Sequence, residues 1–174
     1  MLPWLFLKEW RNKQSRMVPR GPRALLWVLL FIGEHMQTFL PYADFKKSAQ
    51  CLDMKRLGKQ RVEALQIHNI VSGKRTNGGW INHPAVVMWQ GHADALADYH
   101  NAMIDEWVQR GYKNNMPYLP IDSAIIHYPQ WLGAEALHAS HRSNLLRKQS
   151  DHYNAYSWSE PSDLPYYWPS PDRC

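Results

Sequence analysis

The chain has 174 residues, 13% of them aromatic with nine Trp and nine Tyr, which is long enough for one domain with a real core and too rich in rings for a disordered chain. Its two cysteines, Cys51 and Cys174, give neither a disulfide framework nor a Cys-x-x-Cys metal pair and fit a reducing, cytoplasmic compartment. The formal charge is +5, but residues 1–35 hold six Lys and Arg against two acids while residues 36–174 hold fourteen against thirteen, so the high pI belongs mostly to the N-terminal stretch.

Residues 24–33 read Ala-Leu-Leu-Trp-Val-Leu-Leu-Phe-Ile-Gly after a basic run, like the charged and apolar regions of a signal peptide. A helix of that length spans about 15 Å, half of the roughly 30 Å of a bilayer core. No small-x-small cleavage site follows in Gly33-Glu34-His35-Met36. Residues 1–35 are read as a leader, either a weak membrane or export signal or a stretch that lies upstream of the true start or is disordered. We expect Met36 to be the first residue of the functional domain, residues 36–174, with no membrane partner.

Gln37 to Tyr42 is apolar and broken by Pro41, an extended entry segment. Asp44 can cap a short helix over residues 45–51, and Asp53 a longer one from about Lys55 to Val71, since each carboxylate can accept orphan backbone N–H groups. The second of these opens on Lys55, Arg56, Lys59 and Arg61, with one acid, Glu63, four residues after Lys59 and within pairing distance. Ser72 to Gly79 is a Gly-rich loop with Lys74 and Arg75. Residues 44–75 carry eight cations and three acids, whereas 94–106 carry four acids and no Lys or Arg. A body polarised in this way can meet a polyanion with one face.

Asn82-His83-Pro84 opens a second long helix, with Pro84 at its first position. Apolar spacings of 3 and 4 run through Val86, Trp89, Ala93, Leu96, His100, Met103 and Trp107 to Gly111, predicting one helix of roughly 40 Å. The stripe is core, and His100 on it is a hydrogen-bonded core histidine. Residues 112–129 form a proline-punctuated loop. A third helix is predicted from about Gln130 to Lys148, and Tyr153, Tyr156, Trp158, Tyr166, Tyr167 and Trp168 make an aromatic tail. The expected fold is all-α: a compact single domain of three main helices, a long loop and a ring-rich C-terminal tail.

His138 and His141 stand three apart on the third helix and could share a metal with His83 or His92, but no carboxylate or thiolate sits at familiar spacing, and no metal or other cofactor is expected. No Gly-x-Ser-x-Gly and no phosphate-binding Gly-rich loop occurs, and Cys51 lacks a catalytic setting. The remaining pattern is one of nucleic-acid contact. Lys55, Arg56, Lys59 and Arg61 would meet phosphates. His83, His138, His141 and Arg142 would meet phosphates or bases, and Tyr153 and Tyr156 would stack on unpaired bases.

Three stretches carry a family resemblance: Leu52 to Leu65; His83-Pro84, Gly91-His92 and the helix to Arg110-Gly111; and Ser140 to Tyr156 with its Ser-x-x-x-Asn-Leu-Leu-x-Lys. Over most of residues 36–160 the chain resembles the pyrimidine-dimer DNA glycosylases of the phage endonuclease V type. The likeness is strongest to a bacterial branch that opens Met-Gln-Thr-Phe-Leu-Pro-Tyr and contains Arg-Leu-Gly-Lys-Gln-Arg-Val-Glu. The resemblance implies a helical domain that bends DNA and flips a nucleotide out of the stack, and the expected partner is double-stranded DNA, met by a monomer. It also implies that a free N-terminal α-amine attacks deoxyribose C1′, releasing the base through an imine, with β-elimination able to nick the strand. An α-amine near pKa 8 keeps a useful neutral fraction at neutral pH.

The chain departs from the family pattern twice. A Thr directly follows the initiator Met in the family, whereas here Gln37 intervenes and Thr38 comes one place late, so the amine would belong to Met36 unless processing differs. The family's catalytic Glu lies in an Arg-Glu pair early in the first long helix, where this chain has Lys55-Arg56 or Leu57-Gly58. Glu63 is the nearest acid inside the helix. The expected catalytic residues are therefore Glu63 with Met36 or Thr38. The contrasting expectations are a DNA-binding module that kept the scaffold without the chemistry, or an enzyme on another nucleotide or RNA substrate using His138, His141 and Arg142.

Overall fold

A computed structural model describes residues 36–169. The chain divides between Met36 and Gln37, and every element below lies in the unit that begins at Gln37. The apolar stretch at 24–33 lies outside the described residues. Among those described, no helix is long and apolar enough to cross a membrane.

An extended segment, 37–41, leads into α1 (Phe45–Cys51) and α2 (Met54–Val71). Both start where an aspartate can accept an N–H of the first turn: Asp44 takes that of Lys47 and Asp53 that of Arg56. Two shorter pieces follow, α3 (Pro84–Val87) and α4 (Ala93–Gln109), then α5 (Glu135–Lys148), α6 (Ser150–Tyr153) and a 3₁₀ turn over Asn154–Tyr156. No strand occurs among the described residues, so the all-α expectation holds.

α4 is the central strut, packed along α2 and against α1. Leu57, Ala64 and Ile67 of α2 and Leu96, Tyr99, Met103 and Ile104 of α4 have no exposed surface. Gly58 lets the two helices approach, since a Cβ there would lie 3.0 Å from Trp107 Cζ3. The Trp107 ring is held from elsewhere by the Arg61 guanidinium, 3.8 Å from its centroid, and by Tyr112 at 4.4 Å. Arg110, just past α4, donates to the carbonyls of Ala49, Gln50 and Leu52 at the end of α1, where helix carbonyls lack intrahelical donors.

Two predicted helices are shorter than the sequence suggests. The single helix expected across residues 84–110 is broken at 88–92, where Gly91 takes φ +78° and α4 restarts after His92. A left-handed glycine ends a helix at little cost, and the turns around it keep Val86 and Trp89 buried, so the apolar spacing continues across the break. α4 is 17 residues, or roughly 25 Å. The third helix starts at Glu135 rather than Gln130, because residues 130–133 form turns that end at Gly133, φ +104°. His100 is a core residue as expected, fully buried with Nε2 3.0 Å from the Pro117 carbonyl.

Candidate active site

The extended segment 37–41 has no secondary structure of its own, so its backbone groups need partners from elsewhere. It finds one at every residue. The Gln37 N–H donates to the Glu63 carboxylate. The Thr38 N–H donates to Gln37 Oε1 at 2.9 Å, and its Oγ1 accepts from Trp89 Nε1 at 3.0 Å. The Phe39 N–H donates to Gln60 Oε1 at 3.0 Å, and its carbonyl faces the Tyr99 hydroxyl at 3.0 Å. At Leu40 the N–H donates to His141 Nδ1 and the carbonyl accepts from His138 Nδ1, both at 2.7 Å. The Pro41 carbonyl accepts from Arg142 Nη1 at 2.9 Å. Residues of α2, α4 and α5, and Trp89 between α3 and α4, thus fix a strap whose first nitrogen lies on Glu63.

This settles the odd composition of α5. Its run from His138 to Asn144 looks like a polar surface but is buried except at Ala139. His141 has no exposed surface, and burial pushes its pKa down to about 3, with His138 adding repulsion. A neutral ring can accept the Leu40 N–H, and a charged one cannot. His138 completes the opposite pattern: Nδ1 donates to Leu40 while Nε2 accepts the Gly133 N–H at 3.1 Å. Arg142 is 9% exposed and clamped by Glu135 and Glu160. His138, His141 and Arg142, expected to touch phosphates or bases, are buried and bonded to backbone groups of the strap.

Glu63 is 5% exposed. Three donors reach its carboxylate: Lys59 Nζ at 3.2 Å, Gln60 Nε2 at 2.9 Å and the Gln37 N–H. Gln60 is itself held, since its Oε1 accepts from Phe39 and lies 2.7 Å from the Tyr99 hydroxyl. Burial outweighs these donors and pushes the Glu63 carboxyl up to about 7. A carboxyl near neutrality can both give and take a proton. Of the residues predicted for catalysis, Glu63 and Thr38 lie on either side of Gln37 in this network, while Met36 closes the preceding unit. Gln37, which is not among the expected residues, meets Glu63 through its backbone. Its neighbour Thr38 drew attention by type, whereas Gln37 matters through its backbone nitrogen, which carries no side-chain signal.

The predicted DNA contacts separate by exposure. Lys55 and Lys59 are exposed and lie four apart on α2, in the i, i+4 row that ends at Glu63. Lys46, Lys47, Lys74 and Arg75 are exposed as well. Arg56 is largely covered, bonded to Asp53 at 2.6 Å and Gln149 at 2.9 Å. Arg61 packs on Trp107 and donates to Asn114. His83 is buried, and its Nδ1 caps α3 by accepting the Ala85 N–H. The Tyr153 hydroxyl donates to Asp53 at 2.7 Å, holding Asp53 below the usual carboxylate range along with Arg56, despite burial. Tyr153 is fully buried and stacks on Trp158 at 5.6 Å, while Tyr156 stacks on the same Trp158 at 5.2 Å with 37% of its surface open.

No curated protein and no solved structure matches the chain. Residues 36–119 match the family model described as pyrimidine dimer DNA glycosylase. That stretch holds the strap, Glu63 and its donors, and α1 to α4, and over it the chain is similar to that family.

Proposed function

We propose that this protein is an N-glycosylase, with accompanying AP-lyase activity, that acts on damaged or modified pyrimidines in double-stranded DNA through an imine. One observation carries the reading: the Gln37 nitrogen is held against a buried carboxyl whose pKa is raised to about 7. In the chain as written that nitrogen is an amide, bonded to Met36, and its electron pair is delocalised. With Gln37 first, the same nitrogen is an amine with a pKa near 8 in the ordinary case, beside a group able to exchange protons with it. The two then titrate as a pair.

In the reaction the neutral amine attacks C1′ of the flipped nucleotide. The N–C1′ bond forms as the glycosidic bond breaks, and the base leaves with the bonding pair. Glu63, as carboxyl, supplies a proton as the sugar ring opens, and as carboxylate it stabilises the cationic imine. Abstraction of a C2′ proton then expels the 3′ phosphate. Lys55 and Lys59, exposed on the α2 row that leads to Glu63, would meet backbone phosphates. The strap anchors, His138, His141 and Arg142, act by positioning the amine rather than by touching DNA.

Borohydride trapping on abasic and dimer-containing duplexes tests this. Chains beginning at Met36, Gln37 and Thr38 are compared with the full chain. The Gln37-started protein is expected to give the covalent adduct and the full chain none. A Thr38-started protein removes the nitrogen that Glu63 holds, along with the Gln37 Oε1 that accepts the Thr38 N–H at 2.9 Å, and is expected to trap poorly. Absence of an adduct from all of them would overturn the imine mechanism and leave the binding-module alternative, for which the exposed lysine row is the favouring observation.

A further inference from the structure

Gln37 carries, in its own side chain, an electrophile for the amine that the reaction needs. The residue is 4% exposed. Its Oε1 accepts the Thr38 N–H at 2.9 Å, so the carboxamide folds back along the main chain instead of reaching into solvent. Its Nε2 is buried without a hydrogen-bond partner among the described residues. Its backbone nitrogen lies on Glu63. The α-nitrogen, the carboxamide and a proton-carrying carboxyl are therefore enclosed together.

We infer that Gln37 is a self-modification site: once it is the first residue, its amine closes on its own carboxamide, forming a five-membered lactam that ends the imine chemistry. The inference rests on the reading that the Gln37 amine is the nucleophile. The bonds balance without any co-reactant. The neutral α-amine attacks Cδ, the N–Cδ bond forms and the Cδ–Nε2 bond breaks. Nε2 leaves as ammonia, carrying the proton that the α-nitrogen gives up, with Glu63 passing it between them. The product nitrogen is an amide and no longer forms an imine.

Two features of the site favour closure. Amine and carboxamide belong to one residue held at both ends, so no translational freedom is lost on reaction. The departing Nε2 has no hydrogen bond to give up. A substrate imine occupies the same nitrogen, so DNA and the lactam compete for it. The result is an enzyme whose active lifetime starts when Gln37 is exposed and is prolonged by engagement with substrate.

The test uses the full chain with a protease site substituted ahead of Gln37, cleaved after folding at neutral pH. Intact mass and borohydride trapping on an abasic duplex are followed in the same samples. The expected result is loss of one ammonia, with trapping falling in step. The loss should be faster by about tenfold or more than in the same chain held in urea, since general acid–base help is worth at least that. A Gln37→Thr chain should lose no ammonia, and whatever trapping it starts with should not decay. Retention of mass in the folded Gln37 chain, or trapping that persists after the ammonia has gone, would overturn the proposal. If ammonia is lost but fresh Gln37 protein never traps DNA, the cyclisation stands and the imine reading alone fails.

Discussion

Glu63→Gln keeps the size of the side chain and removes its charge, and it should make the protein more stable as it makes it inactive. The Glu63 carboxyl sits at about 7 in the folded chain against an ordinary 4.5, chiefly through burial. Below about pH 4 it is protonated in both the folded and the unfolded chain and contributes no pH dependence. Between 4.5 and 7 the unfolded chain releases the proton and the folded one keeps it, so stability falls as pH rises, and above 7 the whole difference is felt. The gap of about 2.5 pH units, at about 1.4 kcal/mol each, amounts to roughly 3 kcal/mol. Urea unfolding of the parent and the variant from about pH 4 to about pH 8 measures it. The variant should gain roughly 3 kcal/mol on the parent across that range, while imine trapping by the Gln37-started variant should vanish. Difference curves that stay flat to within about 1 kcal/mol would refute the argument that Glu63 is held protonated by burial.

Four further substitutions have expected outcomes that follow from the contacts described. His141→Ala leaves the Leu40 N–H without its acceptor and should cost about 1–3 kcal/mol. It should also remove the parent's loss of stability as pH falls from about 6.5 towards 3, the interval in which the unfolded ring takes a proton and the buried one does not. Gly58→Ala sets a methyl 3.0 Å from a Trp107 ring that Arg61 and Tyr112 already flank, and a thermal melt should register about 1–3 kcal/mol of destabilisation. Lys55→Ala, an exposed cation on the row leading to Glu63, should weaken duplex binding and lower the slope of log affinity against log salt by about 1. Arg56→Ala, whose guanidinium is bound within the fold, should leave that slope nearly unchanged.

Some of the fold could be read directly from neighbouring residues. Asp44 and Asp53 each lie three positions before the N–H they accept, so the starts of α1 and α2 are local facts. The end of α4 was equally local, because Gly111 follows Arg110 with φ +82°. The break at Gly91 was not visible, since apolar spacing measures which side is buried and the side stays buried through the turn. Glu63 could be chosen because it is the one acid within a helix of cations. That it is buried, and that its partner is the backbone of Gln37, could not.

The sequence by itself determined the helical class, the caps of the first two helices and the exposed lysine row, because each depends on residues close together in the chain. Only the tertiary structure decided what α5 is for. His138, His141 and Arg142 look like surface chemistry because polar residues are mostly solvated. Here they are buried and satisfied by backbone groups of Leu40 and Pro41, about a hundred positions earlier. A polar side chain records its own donors and acceptors and nothing about what lies opposite. The strap that sets a nitrogen against Glu63 therefore exists only once α2, α4 and α5 have packed around it.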